Sequence, residues 1–252
     1  MLPLRSCSWL PFGALVVGSL SPDAGYYLGA VGMAARAHTL AGVITVCVPL
    51  SIALMVVMRF LHRPVGGLLP SPHRQVVLSL SEFRWPTSVL TAACVCLAII
   101  IGAMTHIVWD AFTHPAGYFV SKLPGLRAVT FSMDGRDVRL FEVMQHVSTI
   151  VGVLVLAVVY RRVCGAVTRG SLGPLGSDVW RYVLLGTAAV ASMAVAGPIA
   201  YFGASPGRVM NVTLLVVRFV IVSTTVFAVL LAVAALVVVQ GGYAVSSDER
   251  DA

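Results

Sequence analysis

One stretch of this chain is dense in metal-binding residue types: His106-Ile-Val-Trp-Asp110-Ala-Phe-Thr-His114. Residues four apart on a helix lie one turn above one another, with a drift of about 40° per step, so His106, Asp110 and His114 can point one way. Pro115 then ends or bends that helix. Neutral imidazoles and a carboxylate are ordinary ligands for zinc or a similar divalent ion. An unpaired aspartate in an apolar run costs on the order of several kcal/mol, which a metal or a cationic partner offsets. The chemistry to expect is therefore metal binding, with one carboxylate free to act as a general base.

These residues must be positioned by membrane-spanning helices. Of 252 residues, 58% are hydrophobic and only 11% charged, and the mean hydropathy is +0.93. A soluble domain carries about a quarter charged residues. The composition excludes a disordered chain, a disulfide scaffold and a soluble globular enzyme. Apolar runs long enough to cross a bilayer, about 20 residues each, occupy residues 39–60, 88–109, 143–160, 182–202 and 212–239. An earlier segment is apolar over 9–20, is interrupted by Ser21-Pro22-Asp23 and is apolar again over 24–35. It has a single Arg ahead of it and no convincing cleavage site, so it reads as a retained, broken first helix rather than a signal peptide. The expected fold is all-α: one polytopic domain over 1–252 with about six transmembrane helices. Residues 1–165 carry the polar motifs, 166–245 the last two helices and 246–252 an acidic tail.

The net charge of +7 comes from 17 Lys+Arg, 16 of them Arg, against 10 Asp+Glu. Its use here is orientation, not nucleic-acid binding. Arg59, Arg63, Arg74 and Arg84 face only Glu82 in one connection, and Arg161, Arg162, Arg169 and Arg181 face only Asp178 in another. Both connections are expected in the cytoplasm, together with both termini. Between 109 and 142, Lys122, Arg127, Arg136 and Arg139 are balanced by Asp110, Asp134, Asp137 and Glu142, which makes this the external loop. Pro70-Ser71-Pro72 marks an extended inner loop and 203–207 a tight outer turn. The five cysteines sit in or beside apolar runs, apart from Cys7, and read as small packing residues.

On this topology Asp23, His38, His106, Asp110, His114 and His146 all fall toward the outer ends of helices, and they form the expected metal set. His62 and His73 lie among arginines of the inner loop and read as solvated residues. Arg218 lies some way inside the last apolar run. It either snorkels outward or presents a cation to an anionic substrate group such as a phosphate. Glu142, one turn before His146, is either an alternative ligand or base, or a carboxylate favoured by its position at a helix start.

Five motifs occur in order: Leu2-Pro-Leu-Arg, Ala14-Leu-Val-Val-Gly-Ser-Leu-Ser-Pro-Asp23, His38-Thr-Leu-Ala-Gly42, the His106–His114 stretch and Gln145-His-Val-Ser-Thr149. Over about residues 2–165 they resemble the bacterial integral membrane proteins of domain-of-unknown-function family 4184. The order of polar residues is also similar, more distantly, to zinc-dependent phospholipase C, the related single-strand nucleases and membrane-bound metal-dependent hydrolases. That resemblance implies that Asp23, His38, His106, Asp110, His114 and His146 hold metal. Two places depart from it: no His precedes Asp23, and Ile150 stands four residues after His146 where a carboxylate would be expected. A one- or two-metal site is what the resemblance then implies.

The expected function is a metal-dependent hydrolase, with zinc the expected ion, acting at the extracytoplasmic membrane face on a phosphoester or lipid-linked substrate. Asp110, His106 and Asp23 carry the chemistry, and Arg218 and Glu142 meet substrate. Membrane lipids and a small or lipid-like substrate are the expected partners. Two other classes stay open: a metal-free membrane cyclase or isomerase using buried carboxylates, and a non-catalytic lipid-binding or transport protein.

Overall fold

The computed structural model describes residues 9–79, 86–133, 136–168, 178–204 and 212–248. The Leu2-Pro-Leu-Arg motif, Glu82, Arg84, Asp134, Arg169, the 205–207 part of the expected turn and the 249–252 part of the acidic tail lie outside them. The chain divides into two compact units.

The first unit comprises Met1–Gly25, Ala30–Met55 and Arg84–Val163. It opens with α1 (Phe12–Leu20), whose Ala14, Leu15, Val17 and Gly18 are buried. The helix ends where Ser21 donates its hydroxyl back to the Gly18 carbonyl at 2.7 Å, and Pro22 removes the next backbone donor. Next along the chain come α2 (Ala24–Tyr27), whose last two residues belong with Leu28 and Gly29 to the second unit, and α3 (Val31–Ala37) of the first; Gly29 between them has φ +69°, a conformation that glycine adopts without a Cβ penalty. Thr39 then caps α4 (Leu40–Gly42), its hydroxyl oxygen accepting from the Gly42 N–H at 3.0 Å. A π-helical turn over Val43–Cys47 leads into α5 (Val48–Leu68).

Against these pieces packs α7 (Val89–Thr113), started by a reciprocal Ser88–Thr91 capping box. α1 and α7 approach so closely that their backbones touch. A Cβ on Gly18 would collide with the Ile99 carbonyl oxygen, and one on Gly102 with the Leu15 carbonyl oxygen. The π turn packs on the other side of α7, where Ala37, Val43, Cys47 and Ala103 form a buried cluster bordered by Ile100, Met104 and Ile107. After α8 (Tyr118–Lys122) comes a short antiparallel hairpin, β1 (Val129–Met133) with β2 (Arg136–Arg139). The hairpin is an addition to the expected all-helical fold. Its alternating Val129-Thr-Phe131-Ser-Met133 fits a strand. α9 (Leu140–Thr168) completes the unit, running five residues past its boundary.

The second unit comprises Tyr26–Gly29, Val56–Phe83 and Cys164–Ala252. Its α10 (Val179–Ala204) packs along α11 (Val212–Asp248). Along α10, Ala188, Ser192, Ala196, Ala200 and Ala204 are buried at every fourth position, the small-residue spacing that lets apolar helices come close without large side chains between them. α6 (His73–Ser79) folds back beside the end of α5, where Gly66 leaves room for Leu78. The start of α10 is clamped to this turn: Asp178 accepts from the Ser71 N–H at 2.8 Å and from Arg181 at 2.6 Å, while Arg181 Nε donates to the Gly67 carbonyl at 3.1 Å.

The Ser71 N–H, with help from Arg181 and Arg74, holds the Asp178 carboxyl below the usual carboxylate range. A depressed carboxylate contributes stability that is fully present above its unfolded value and is lost as the pH falls through the folded one. Asp178→Asn is therefore expected to be less stable than wild type at neutral pH. The gap in unfolding midpoint should close as the pH is lowered through and below the carboxylate range. A gap independent of pH would contradict the clamp.

Among the described residues, five helices are long and apolar enough to cross a membrane: Leu40–Leu68, Val89–Lys122, Leu140–Val167, Val179–Ala204 and Val212–Val238. They coincide with the five expected runs and extend beyond most of them, because hydropathy marks the apolar centre of a helix while its backbone bonding continues into polar ends. The expected sixth is not one long helix. The break at Ser21-Pro22-Asp23 is present, but the segment consists of three helices, none longer than nine residues.

Candidate metal centre

The α1–α7 crossing and the α3–α4 corner bring four side chains together within the first unit. Asp23 follows the end of α1, His38 caps α3, and His106 and Asp110 stand one turn apart near the end of α7. The corner at His38 is tight: a Cβ on Gly42 would overlap the Arg36 carbonyl oxygen, and that carbonyl also accepts from the Thr39 hydroxyl at 2.8 Å. One ligand atom from each of Asp23, His38, His106 and Asp110 lies within 4.8 Å of the other three. His38 Nε2 is 3.5 Å from Asp23 Oδ1 and 3.4 Å from Asp110 Oδ2. His106 Nε2 is 3.5 Å from Asp23 Oδ2 and 3.2 Å from Asp110 Oδ2. The two imidazoles meet edge to face, with centroids 5.7 Å apart.

The protonation of His38 is readable from its other nitrogen. Nδ1 lies 2.8 Å from the Ala34 carbonyl, which can only accept, so Nδ1 carries the hydrogen. In the neutral ring Nε2 then directs its lone pair at two carboxylates, as in histidine ligands oriented by a backbone carbonyl. His106 Nε2 is buried and has no hydrogen-bond partner among the described residues, although two carboxylates stand close to it. Facing lone pairs of this kind need a proton or a cation between them. The Asp110 carboxylate raises His38 above the ordinary imidazole value, with the Ala34 carbonyl and Asp23 adding to it against burial. A proton and a metal ion would therefore compete for this position.

The donor set fits a divalent ion. Nitrogen and oxygen ligands around a tetrahedral ion at about 2.0–2.1 Å stand roughly 3.3–3.4 Å apart. Taken through a single Asp23 oxygen, three of the nitrogen-to-oxygen separations above, 3.2–3.5 Å, match that spacing, while the two imidazoles face different oxygens of Asp23, so an ion held by one oxygen of each carboxylate needs the Asp23 carboxylate to turn. Two imidazoles and two carboxylates are a zinc-compatible ligand set, and the group could hold such an ion.

The other sequence-assigned residues are placed differently. His114, the cap residue of α7, has Nδ1 3.4 Å from Asp110 Oδ1, on the carboxylate oxygen turned away from His38 and His106. It borders the group without joining it, and its side chain is 46% exposed. His146 is exposed on α9 and is not among the four convergent residues. Glu142 accepts from the Arg139 N–H at 2.9 Å, at the start of α9. Arg218 is in the second unit, its guanidinium against Gly203. His62 bonds the Arg59 carbonyl at 2.8 Å and His73 begins α6, both in the second unit.

No curated protein and no solved structure matches the chain. One family model does, and it extends past the motif-bearing residues 2–165 into the last apolar helix. With residues 1–239 matched, the chain belongs to the family described as Domain of unknown function (DUF4184).

Proposed function

We propose that this protein is a multi-pass membrane hydrolase that depends on a divalent metal, with zinc the expected ion, and acts on a phosphoester or lipid-linked substrate at the extracytoplasmic face. The observation that carries this reading is the convergence of two imidazole nitrogens and two carboxylates, with His106 Nε2 buried and unbonded among the described residues. The orientation rests on the arginine-rich connections, which assign the opposite face to the cytoplasm.

Asp23, His38, His106 and Asp110 would hold the ion. A bound divalent ion supplies Lewis acidity, polarising a phosphoryl or acyl oxygen and making water a competent nucleophile near neutral pH. The chain's own residues do the rest. The Ala34 carbonyl keeps the His38 hydrogen on Nδ1 and so keeps Nε2 available. Asp23 is 43% exposed against 21% for Asp110, so Asp23 is the carboxylate that a water molecule and substrate can reach, which makes it the candidate general base. Asp110, with His114 on its outer oxygen, is the more enclosed and orienting carboxylate. His114 and His146 stay in the proposal as ligands of a wider set. Glu142 stays as an alternative proton acceptor and Arg218 as a substrate-side cation.

Purified protein reconstituted with zinc is expected to hydrolyse an aryl phosphoester or a phospholipid in mixed micelles. Activity should be lost on exhaustive chelation and restored by zinc. Hydrolysis that survives complete metal removal would favour the metal-free acid-base reading. Stoichiometric metal without turnover of either substrate would favour the binding or transport reading, which the broken first segment also supports, since discontinuous helices often build ion sites.

A further inference from the structure

We propose that the groove between α10 and α11 binds one acyl chain of an anionic phospholipid, whose phosphate rests on the arginines gathered at the start of α10. The inference concerns the second unit alone and is independent of the metal-site reading.

The groove follows from side-chain size. Leu184, Thr187 and Ala191 of α10 and Leu230, Leu231 and Ala234 of α11 line a cavity of about 320 Å³ whose surface is almost wholly apolar. The alanines are too short to fill it, and the leucines border it. Both helices are long and apolar enough to cross a membrane, so hydrocarbon, not water, is the medium that meets the groove. Left unfilled, its lining would forfeit dispersion contacts.

Its dimensions select the occupant. From Leu184 to Ala191 the groove follows α10 for about 10 Å, at roughly 1.5 Å per residue. The volume spread over that length gives a section of about 30 Å², whereas a helix about 10 Å across fills about 80 Å². A single extended hydrocarbon chain fits such a channel, and the body of another helix does not.

One end of the groove carries the features of a headgroup site. Trp180 and Tyr182 are exposed there, as aromatic residues are at the membrane–water interface. Arg181, Leu184, Ala188 and Ala191 stand at i, i+3, i+7 and i+10, so Arg181 shares the groove's face of α10, about one turn before its end. Its guanidinium is held in place: Nη1 donates to Asp178, Nε donates to the Gly67 carbonyl, and Cζ stands 4.4 Å from the centre of the Trp180 ring. Those bonds leave further N–H donors of the guanidinium for a phosphate oxygen. Arg74 belongs to the same clamp, with Nη2 3.5 Å from Ser71 Oγ and its charge acting on Asp178. Two guanidiniums against one carboxylate leave a single positive charge, which a phosphodiester balances.

Delipidated protein in detergent would be titrated with dioleoyl phosphatidylglycerol and, separately, with dioleoyl phosphatidylcholine, and bound lipid counted by mass spectrometry of the intact complex. One phosphatidylglycerol per chain should be held more tightly than any other, with phosphatidylcholine weaker by about fivefold or more. Ala191→Phe fills the groove and should lower phosphatidylglycerol affinity about tenfold, while Val190→Phe, on the exposed surface beside it, should not. Arg74→Gln should erase most of the preference between the two lipids. Should Ala191→Phe fail to fold, Ala234→Leu fills the groove from α11 and is read in the same way. Equal phosphatidylglycerol affinity in wild type and the groove-filling variant, or no stoichiometric lipid on wild type, overturns the acyl-chain site. A wild-type dimer that the groove-filling variant turns into a monomer overturns it too, by placing a second copy there. Equal affinity of wild type for both lipids overturns the role of the arginines.

Discussion

His106→Ala and Asp110→Ala are expected to purify without stoichiometric zinc, with affinity reduced about 100-fold or more. Residues that merely orient a ligand already cost 10–100-fold when removed. These two supply donor atoms themselves, and Asp110 Oδ2 lies 3.2–3.4 Å from both imidazoles. Metal analysis after dialysis against dilute zinc gives the stoichiometry, and competition with a chromophoric chelator gives the affinity. His146→Ala is the discriminating companion. Retention of the ion in that variant would locate binding in the four convergent residues, and loss would restore the wider ligand set implied by resemblance. A fully loaded, normally folded His106→Ala protein would remove the basis for metal chemistry here.

The second large effect concerns the frame that makes the site. In a helix interior, Gly→Ala ordinarily stabilises by about 0.5–1 kcal/mol, because glycine loses more backbone freedom on folding. At Gly102 the sign is expected to invert. The new Cβ would overlap the Leu15 carbonyl oxygen and come within 2.9 Å of Ser19 N, and neither is a flexible side-chain end that can swing aside. Overpacking of this kind costs about 1–3 kcal/mol, at times more. Because α1 leads directly to Asp23, pushing the helices apart also withdraws one ligand from the group. Gly102→Ala should therefore lower both the thermal midpoint in detergent and the zinc affinity. Gly152→Ala, on α9 with nothing within 4 Å of the added Cβ, should lower neither. Equal behaviour of the two variants would show that the crossing is not as close as described.

The two variants separate kinds of information that lie at different depths in the sequence. The apolar centres of the five long helices were legible in the hydropathy pattern, while three of the helices run seven or more residues past the expected run, because the backbone bonding continues into polar ends that hydropathy does not mark. The His106–Asp110 pair was legible too, since a four-residue spacing on one helix fixes a shared face without reference to anything else. The break after α1 could be seen in Ser21-Pro22-Asp23. The hairpin was not anticipated, although the alternation in Val129–Met133 was there to be read.

What sequence could not decide is which distant polar residues converge. Topology placed Asp23, His38, His114 and His146 toward one end of their helices, and residues so placed are equivalent until packing distinguishes them. Packing chose Asp23 through the Gly18–Gly102 contact, and His38 through the Thr39–Gly42 corner and its bond to Ala34. It left His114 at the outer oxygen of Asp110 and His146 exposed. By itself, then, the sequence determined a multi-span helical protein with one helix end dense in histidine and aspartate, because both follow from local periodicity. The four-residue site was decided only in the tertiary structure, because it depends on how near two backbones can come and on which way a helix corner turns.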